Sequence, residues 1–250
     1  KLLTAKQLLA DTRLPITQVA QSRGFASLRR FNAAFAEHYG LNPSQMRRQP
    51  ETDRAGDNRL HPVALTWRPP YDAAAMLRFL GDRHLPGIEC VDCGPALRLQ
   101  RTVRLAHAGR VHTGWFTARL EPDAHRLWLS VSDSLHAALP ALIWRVRALF
   151  DLDADPQSIN ALLHADFPAG DGLRVPGALD GFELAVRAVL GQQISVAAAR
   201  TLAQRLVARW GEALPTPIAG LDRLFPSPEA LAQASGDELG ALGLTRQKQA

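Results

Sequence analysis

The sequence predicts a multidomain α+β protein, in which a small all-helical unit, an α+β unit and a second all-helical unit follow one another. Three observations support this order. Residues 5–48 have helical periodicity interrupted by Gly24, residues 102–131 alternate between apolar and polar side chains, and strand signals disappear after about residue 156. With 250 residues, of which 46% are apolar, the chain can bury more than one hydrophobic core.

The first unit is predicted to contain two helices joined by a tight turn. Ile16–Ala20 forms a short amphipathic helix, Gly24 supplies the turn, and Ser27 caps the following helix. Apolar residues at positions 28, 31 and 35 share one face of that second helix. The side chains left pointing outward near its start are Arg29, Arg30 and Asn32, which are types that read base edges in the major groove of DNA.

Positive charge is concentrated in this first unit. Residues 1–50 contain eight Lys or Arg against two acidic residues, whereas the rest of the chain contains 21 against 22. A basic segment attached to a nearly neutral body favours contact with a polyanion such as nucleic acid. Charge alone is equally compatible with a solvated basic face, and an ordinary helical hairpin would give the same helix pattern.

A polar stretch without periodicity, residues 50–61, is predicted to link this unit (1–49) to an α+β unit (62–156). The α+β unit is expected to begin with a strand at Val63–Trp67 and a helix at Ala73–Leu80, and to end with a helix at Leu142–Phe150. Turn residues separate three alternating segments between these helices, which predicts an antiparallel meander. The three segments are Thr102–Leu105, Val111–Leu120 and Arg126–Val131.

Residues 157–250 are predicted to be all-helical, with glycines and prolines between the helices. One helix ends at Gly191 and the next is capped by Ser195, which leaves Gln192 and Gln193 on an exposed polar tip. The expected helices are Ser158–Leu163, Gly181–Leu190, Val196–Trp210, Pro228–Ala234 and Gly236–Ala241.

Several classes of function are not supported by the sequence. Cys90 and Cys93 lack the further ligands that a zinc site requires, and the Asp-x-Asp-x-Asp run at 151–155 has proline where a calcium loop needs glycine. No apolar run is long enough to cross a bilayer. We therefore expect no metal, no small-molecule cofactor and no membrane contact. The expected state is a monomer in the cytoplasm.

The first unit resembles the second helix-turn-helix of AraC-type activators, especially that of Ada-type alkylation-response regulators. The resemblance covers about 45 residues. It implies that Ser27, Arg29, Arg30 and Asn32 face double-stranded DNA, with Arg47 as a further contact. The residues that carry it are Ile16-Thr17-Gln18-Val19-Ala20, Gly24-Phe25, Phe31, Phe35, Gly40-Leu41, Pro43 and Arg47.

Two further stretches resemble 3-methyladenine DNA glycosylase II, the AlkA-type branch of the helix-hairpin-helix superfamily. The run from Trp67 to Asp72, followed by Met76–Leu80, would by itself brace a corner between a strand and a helix. The resemblance implies a TATA-binding-protein-like sheet domain and places Phe79 in the pocket for a flipped base. The run Phe182–Val196 resembles the helical glycosylase domain, and the residue that fills the gap in the DNA maps to Gln193, where the best-known members carry an aliphatic side chain.

The resemblance implies a base-excision enzyme that removes alkylated bases, joined to a regulator of the alkylation response. The family's catalytic Asp follows a hairpin that would lie after Ala250, so no catalytic residue is assigned and residues 1–250 alone are expected to be inactive. The competing interpretation is a lesion sensor or regulator without chemistry. A glycosylase for oxidised bases is less favoured because the α+β unit matches the alkyl-base branch.

Overall fold

A computed structural model describes residues 2–11, 14–22, 24–25, 27–39, 42–46 and 62–249. None of the described helices is long and apolar enough to cross a membrane. The helices are α1 (Leu2–Asp11), α2 (Ile16–Ser22), α3 (Leu28–Tyr39), α4 (Pro43–Met46), α5 (Ala73–Asp82), α6 (Leu139–Leu149), α7 (Pro156–Leu163), α8 (Gly181–Gly191), α9 (Val196–Trp210), α10 (Pro228–Ala232), α11 (Gly236–Ala241) and α12 (Arg246–Gln249).

The first unit folds as the sequence predicts. Gly24 has a positive φ of 72° between α2 and α3, and the Ser27 hydroxyl accepts a hydrogen bond from the Arg30 amide at 3.3 Å, which caps α3. Phe31 and Phe35 are fully buried, and their ring centroids lie 5.5 Å apart. Helix α1 packs against the first strand of the sheet, so this unit shares an apolar core with the α+β unit.

The α+β unit is built on a five-stranded antiparallel sheet in the order β1-β5-β4-β3-β2. The three alternating segments of the sequence form the central meander, which confirms that prediction. The edge strand β2 was not predicted, and it pairs only with β3, placing Glu89 opposite Arg101. The strands are β1 (Val63–Thr66), β2 (Glu89–Asp92), β3 (Arg98–His107), β4 (Arg110–Glu121) and β5 (Arg126–Val131).

The last unit contains the predicted helices, and α9 and α11 have the predicted bounds. It is not purely helical, because residues 213–223 form β-bridges, one of which joins Leu221 to Gly87. The apolar core of these helices also includes Leu85 and Ile88, which precede β2. The sheet and the last unit are therefore joined by side-chain packing as well as by the continuous polypeptide chain.

The segment before α8 is fitted closely to the end of α6. The Gly177 amide donates a hydrogen bond to the Leu149 carbonyl at 3.0 Å. A Cβ atom at Gly177 would clash with the backbone of Ala148, coming within 2.9 Å of its carbonyl carbon, whereas a Cβ atom at Gly181 would meet nothing within 4 Å. Only a residue without a side chain allows this approach.

We expect Gly177→Ala to lower the free energy of unfolding by about 1–3 kcal/mol, since backbone atoms cannot swing away as a flexible side chain could. Urea denaturation followed by circular dichroism measures this loss. Gly181→Ala, made four residues away at the first position of α8, is the matched control and should change stability by no more than about 1 kcal/mol. Equal stability of the two variants would contradict this account of the junction.

Candidate functional site

A cavity of about 390 Å³ opens between α5, α8 and the start of α9. Its size lies within the range of small-molecule pockets in proteins. Phe79 lies at its rim with 39% of its surface exposed. The lining is mostly apolar, and it includes charged side chains from the sheet, from α8 and from Arg83, which follows the end of α5.

The corner before α5 fixes the position of Phe79. Asp72 caps α5 by accepting a hydrogen bond from the Ala75 amide at 2.8 Å. The rings of Trp67 and Tyr71 stack with centroids 4.8 Å apart, and the Tyr71 hydroxyl donates to the Phe150 carbonyl at 2.8 Å. Burial raises the pKa of the Tyr71 phenol, which keeps it protonated as a donor. The aromatic and proline-rich run therefore braces the helix that carries Phe79.

Arg83 covers the aromatic face of Phe79. Its guanidinium carbon lies 3.8 Å from the ring centroid, and Nη1 donates to the Phe79 carbonyl at 3.2 Å. Arg83 has no carboxylate partner among the described residues. An unpaired cation with several hydrogen-bond donors therefore lies on the ring at the mouth of the cavity.

A cluster of four charged side chains, here called the junction cluster, lines the same cavity as this ring. Arg101 of β3 binds both Glu89 of β2 and Glu183 of α8, and all three side chains are buried. Arg187 binds the same two carboxylates at 2.9 Å each, and its second nitrogen donates to the backbone carbonyl of Arg83 at 3.0 Å. The cluster thus ties the sheet, α8 and the end of α5 to one another.

Opposite charges keep Glu89 and Arg101 ionised inside this cluster. Burial alone would raise the pKa of Glu89, but the nearby charges of Arg101 and Arg187 lower it below its ordinary value. The pKa of Arg101 is raised despite its burial, because Glu183 and Glu89 stabilise its charged form. Glu89 is therefore engaged by two arginines and is not free to accept a proton from a substrate.

The polar tip after α8 has the predicted geometry and lies next to the same cavity. Helix α8 ends at Gly191, Gln193 has a φ of 60°, and the Ser195 hydroxyl caps α9 by accepting from the Ala198 amide at 3.2 Å. Gln192 and Gln193 are both exposed. Gly191 and Ile194, on either side of the two glutamines, line the cavity together with Phe79.

The other predicted site residues lie on the helix-turn-helix. Arg29 and Arg30 are exposed at the start of α3, and Ser27 is used as its cap. The prediction that Asn32 points fully outward is wrong. Asn32 is half-buried and its side-chain oxygen is enclosed without a hydrogen-bond partner among the described residues, because position 32 borders the face formed by Phe31 and Phe35. Arg47 lies outside the described residues.

The two cysteines occupy different surroundings. The Cys90 sulfur approaches the carbonyls of Ala219 and Gly220 at 3.7 Å, whereas that of Cys93 lies beside Gly81 of α5. Burial raises the pKa of the Cys90 thiol. The described part of the chain contains no group of three or more potential metal-ligating side chains.

Sequence reasoning missed the junction cluster and Arg83. The spacing of Glu183 and Arg187, four residues apart in a predicted helix, was the available signal for one pair. The contact between Arg101 and Glu183 joins residues 82 positions apart, so no local pattern could reveal it.

Comparison with known proteins assigns nearly the whole chain. A helix-turn-helix domain model matches residues 1–49, the AlkA N-terminal domain matches 62–180, and the HhH-GPD superfamily base excision DNA repair protein model matches 186–250. Fold and site thus define a helix-turn-helix protein whose body has the architecture of base excision repair proteins. These three domain matches, in this order, give the chain the domain arrangement of an Ada/AlkA-type fusion.

The relatives are longer than this chain. It is 36% identical over 183 residues to DNA-3-methyladenine glycosylase 2 of Escherichia coli K12, covering 72% of this chain and 61% of that protein. It is 35% identical over 242 residues to the probable bifunctional transcriptional activator/DNA repair enzyme AlkA of Mycobacterium tuberculosis H37Rv, covering 92% and 46%. The 3-methyladenine DNA-glycosylase from Archaeoglobus fulgidus shares the fold, with a TM-score of 0.61 at 21% identity over 74% of this chain and 63% of that one.

We expect Glu89→Gln to lower the free energy of unfolding by about 3–5 kcal/mol at neutral pH, because it leaves buried Arg101 and half-buried Arg187 short of one counter-charge. The pKa of Glu89 is lowered in the folded state, so its stabilising contribution is complete above its unfolded pKa, about 4.3, and is lost as pH falls through the folded pKa. Denaturation curves between pH 7 and pH 3 should therefore show a shallower acid dependence for the variant.

Glu212→Gln is the matched control for this prediction. Glu212 also pairs with an arginine, Arg104, but its side chain is 62% exposed. An exposed pair contributes at most about 1 kcal/mol, so this variant should remain close to wild type. A Glu89→Gln protein as stable as the control would contradict the structural role of the cluster.

Proposed function

We propose that the chain is the DNA-reading and lesion-binding part of a DNA N-glycosylase of the 3-methyladenine glycosylase II type, combined with regulation of the alkylation response. One observation carries the proposal: Phe79 and the residues flanking Gln192 and Gln193 line the same cavity. An enzyme that flips a base out of DNA needs an aromatic face for that base and a side chain to fill the gap. DNA of the nucleoid is then its site of action.

The chemistry of the cavity suits an alkylated purine. Alkylation at a ring nitrogen gives the base a positive charge, which makes it a better leaving group and draws it to an aromatic face. Phe79 offers that face at the rim, and the exposed Gln193 side chain can enter the duplex beside it. The name DNA-3-methyladenine glycosylase 2 of the E. coli relative supports this substrate class.

The helix-turn-helix supplies a second contact with double-stranded DNA in this proposal. Arg29 and Arg30 are exposed at the start of α3, where a recognition helix meets the major groove. Ser27 caps this end of the helix, and Arg47 is a further contact with DNA in the proposal. The functional units are residues 1–49, 62–156 and 157–250, with 50–61 as a linker, acting as a monomer.

Residues 1–250 are proposed to bind lesions without cleaving them. Three carboxylates line the cavity, and each has a structural partner: Glu89 and Glu183 bind arginines, and Asp180 caps α8 by accepting from the Glu183 amide at 2.8 Å. The water-activating group of the family is an Asp after a downstream hairpin. The same arrangement favours, as the alternative, a lesion sensor without chemistry.

We expect the chain to bind a duplex with one 7-methylguanine more tightly than the undamaged duplex, and Phe79→Ala to reduce that preference about ten-fold by removing the stacking surface. A 2′-fluorinated sugar keeps the charged base attached during a fluorescence anisotropy titration. Phe167→Ala removes another exposed phenylalanine that does not line the cavity, and it should keep the preference. No preference in the wild-type chain would refute lesion binding.

The double variant Arg29→Ala/Arg30→Ala separates the two DNA contacts in the same titration. It should weaken binding to damaged and undamaged duplexes alike. The affinity should also depend less steeply on salt concentration, because a protein with fewer phosphate contacts releases fewer counterions when it binds. An effect confined to the damaged duplex would contradict the assignment of α3 to general DNA binding.

We expect residues 1–250 to release no 3-methyladenine from methylated duplex DNA under conditions in which E. coli DNA-3-methyladenine glycosylase 2 releases it. Chromatography of the free base measures this. A longer polypeptide with the family's hairpin and Asp should release the base, and its failure would favour the sensor. Release by residues 1–250 alone would overturn the assignment of catalysis to a downstream Asp.

A further inference from the structure

Lys248, near the end of the described chain, contacts the tip that carries Gln192 and Gln193. Its Nζ atom donates to the Leu190 carbonyl at 2.8 Å and to the Gln192 carbonyl at 2.9 Å. The two residues lie more than 50 positions away in sequence. Lys248 therefore joins α12 to the end of α8.

The contact supplies what this helix end otherwise lacks. The last carbonyls of a helix have no partners within the helix and carry partial negative charge, so an ammonium group is favourable there. Gln193 has a φ of 60°, a left-handed conformation that side-chain-bearing residues adopt at a cost of about 1–2 kcal/mol. A turn with such a residue persists when surrounding contacts hold it.

Helix α12 can hold Lys248 in place because it is itself anchored. The Gln249 side-chain amide donates to the Leu244 carbonyl at 2.7 Å, and α12 packs against α11. Leu244 is buried in the core of the last unit with Leu190 and Leu206. The Lys248 ammonium group therefore reaches the turn from a helix whose own position is fixed by these contacts.

We propose that Lys248 is a positioning residue that holds the Gln192–Gln193 turn in the conformation presented to DNA. The proposal rests on the proposed function, in which Gln193 enters the duplex. Lys248 acts through the turn, since its charge is engaged by two carbonyls. Its removal should loosen the turn and reduce base unstacking, while leaving the cavity around Phe79 unchanged.

The test compares Lys248→Met with wild type by two measurements. Amide hydrogen exchange of residues 190–194 in the free protein should become about ten-fold faster, as expected for loss of charged hydrogen bonds. At saturating protein, the fluorescence of 2-aminopurine placed beside a 7-methylguanine should rise less than half as much as with wild type. Lys248→Arg, which keeps the charge and the donors, should restore both.

Arg246→Gln is the matched control, since it removes one positive charge from the same short helix and Arg246 is exposed. It should leave both measurements at wild-type values. Unchanged exchange in Lys248→Met would overturn the proposal, as would an equal effect of Arg246→Gln. A third outcome is faster exchange in Lys248→Met together with no fluorescence rise in the wild-type protein. It would uphold the positioning role of Lys248 and refute the entry of Gln193 into DNA, which is a failure of the proposed function.

Discussion

The arrangement of the candidate site depends on one buried arginine, Arg101, held between a carboxylate of the sheet and a carboxylate of α8. Arg187 extends the link to the backbone at the end of α5. Phe79 lies on α5 and the glutamine turn follows α8. The junction cluster connects these two helices, so it sets the distance between Phe79 and the turn. Buried ion pairs add little net stability compared with apolar packing, but breaking one is costly. The junction cluster therefore fixes geometry more than it adds stability.

Individual helices and strands could be predicted from the sequence, but the long-range contacts that join them could not. Helix α9 was predicted with its observed bounds because Ser195 caps it and Gly211 follows its end, and both signals are adjacent in sequence. Strand β2 was missed because Glu89–Asp92 has acidic residues at both ends and no alternation. The charge of Glu89 can be buried there because Arg101 and Arg187 neutralise it, and no window of neighbouring residues contains that information.

Some features of the candidate site could likewise be predicted from local sequence, and others could not. The glutamine tip followed from a helix stop and a helix cap, while the place of Phe79 in a pocket came from a family resemblance. That both line one cavity depends on how α5 and α8 pack, which periodicity does not specify. Asn32 shows the limit of helical-wheel reasoning, since a residue next to an apolar face can lie half inside it.

The guanidinium of Arg83 lies on the Phe79 ring, so that face of the ring is already in contact with part of the protein itself. Under the proposed function, a base that stacks on this face displaces Arg83, whose contact with the ring is worth about 0.5–2 kcal/mol. An ordinary base that gains no more than this from the ring has no advantage over the resident cation. In that proposal, displacement of Arg83 lowers the net affinity of this face for every base, and so it discourages the capture of normal bases.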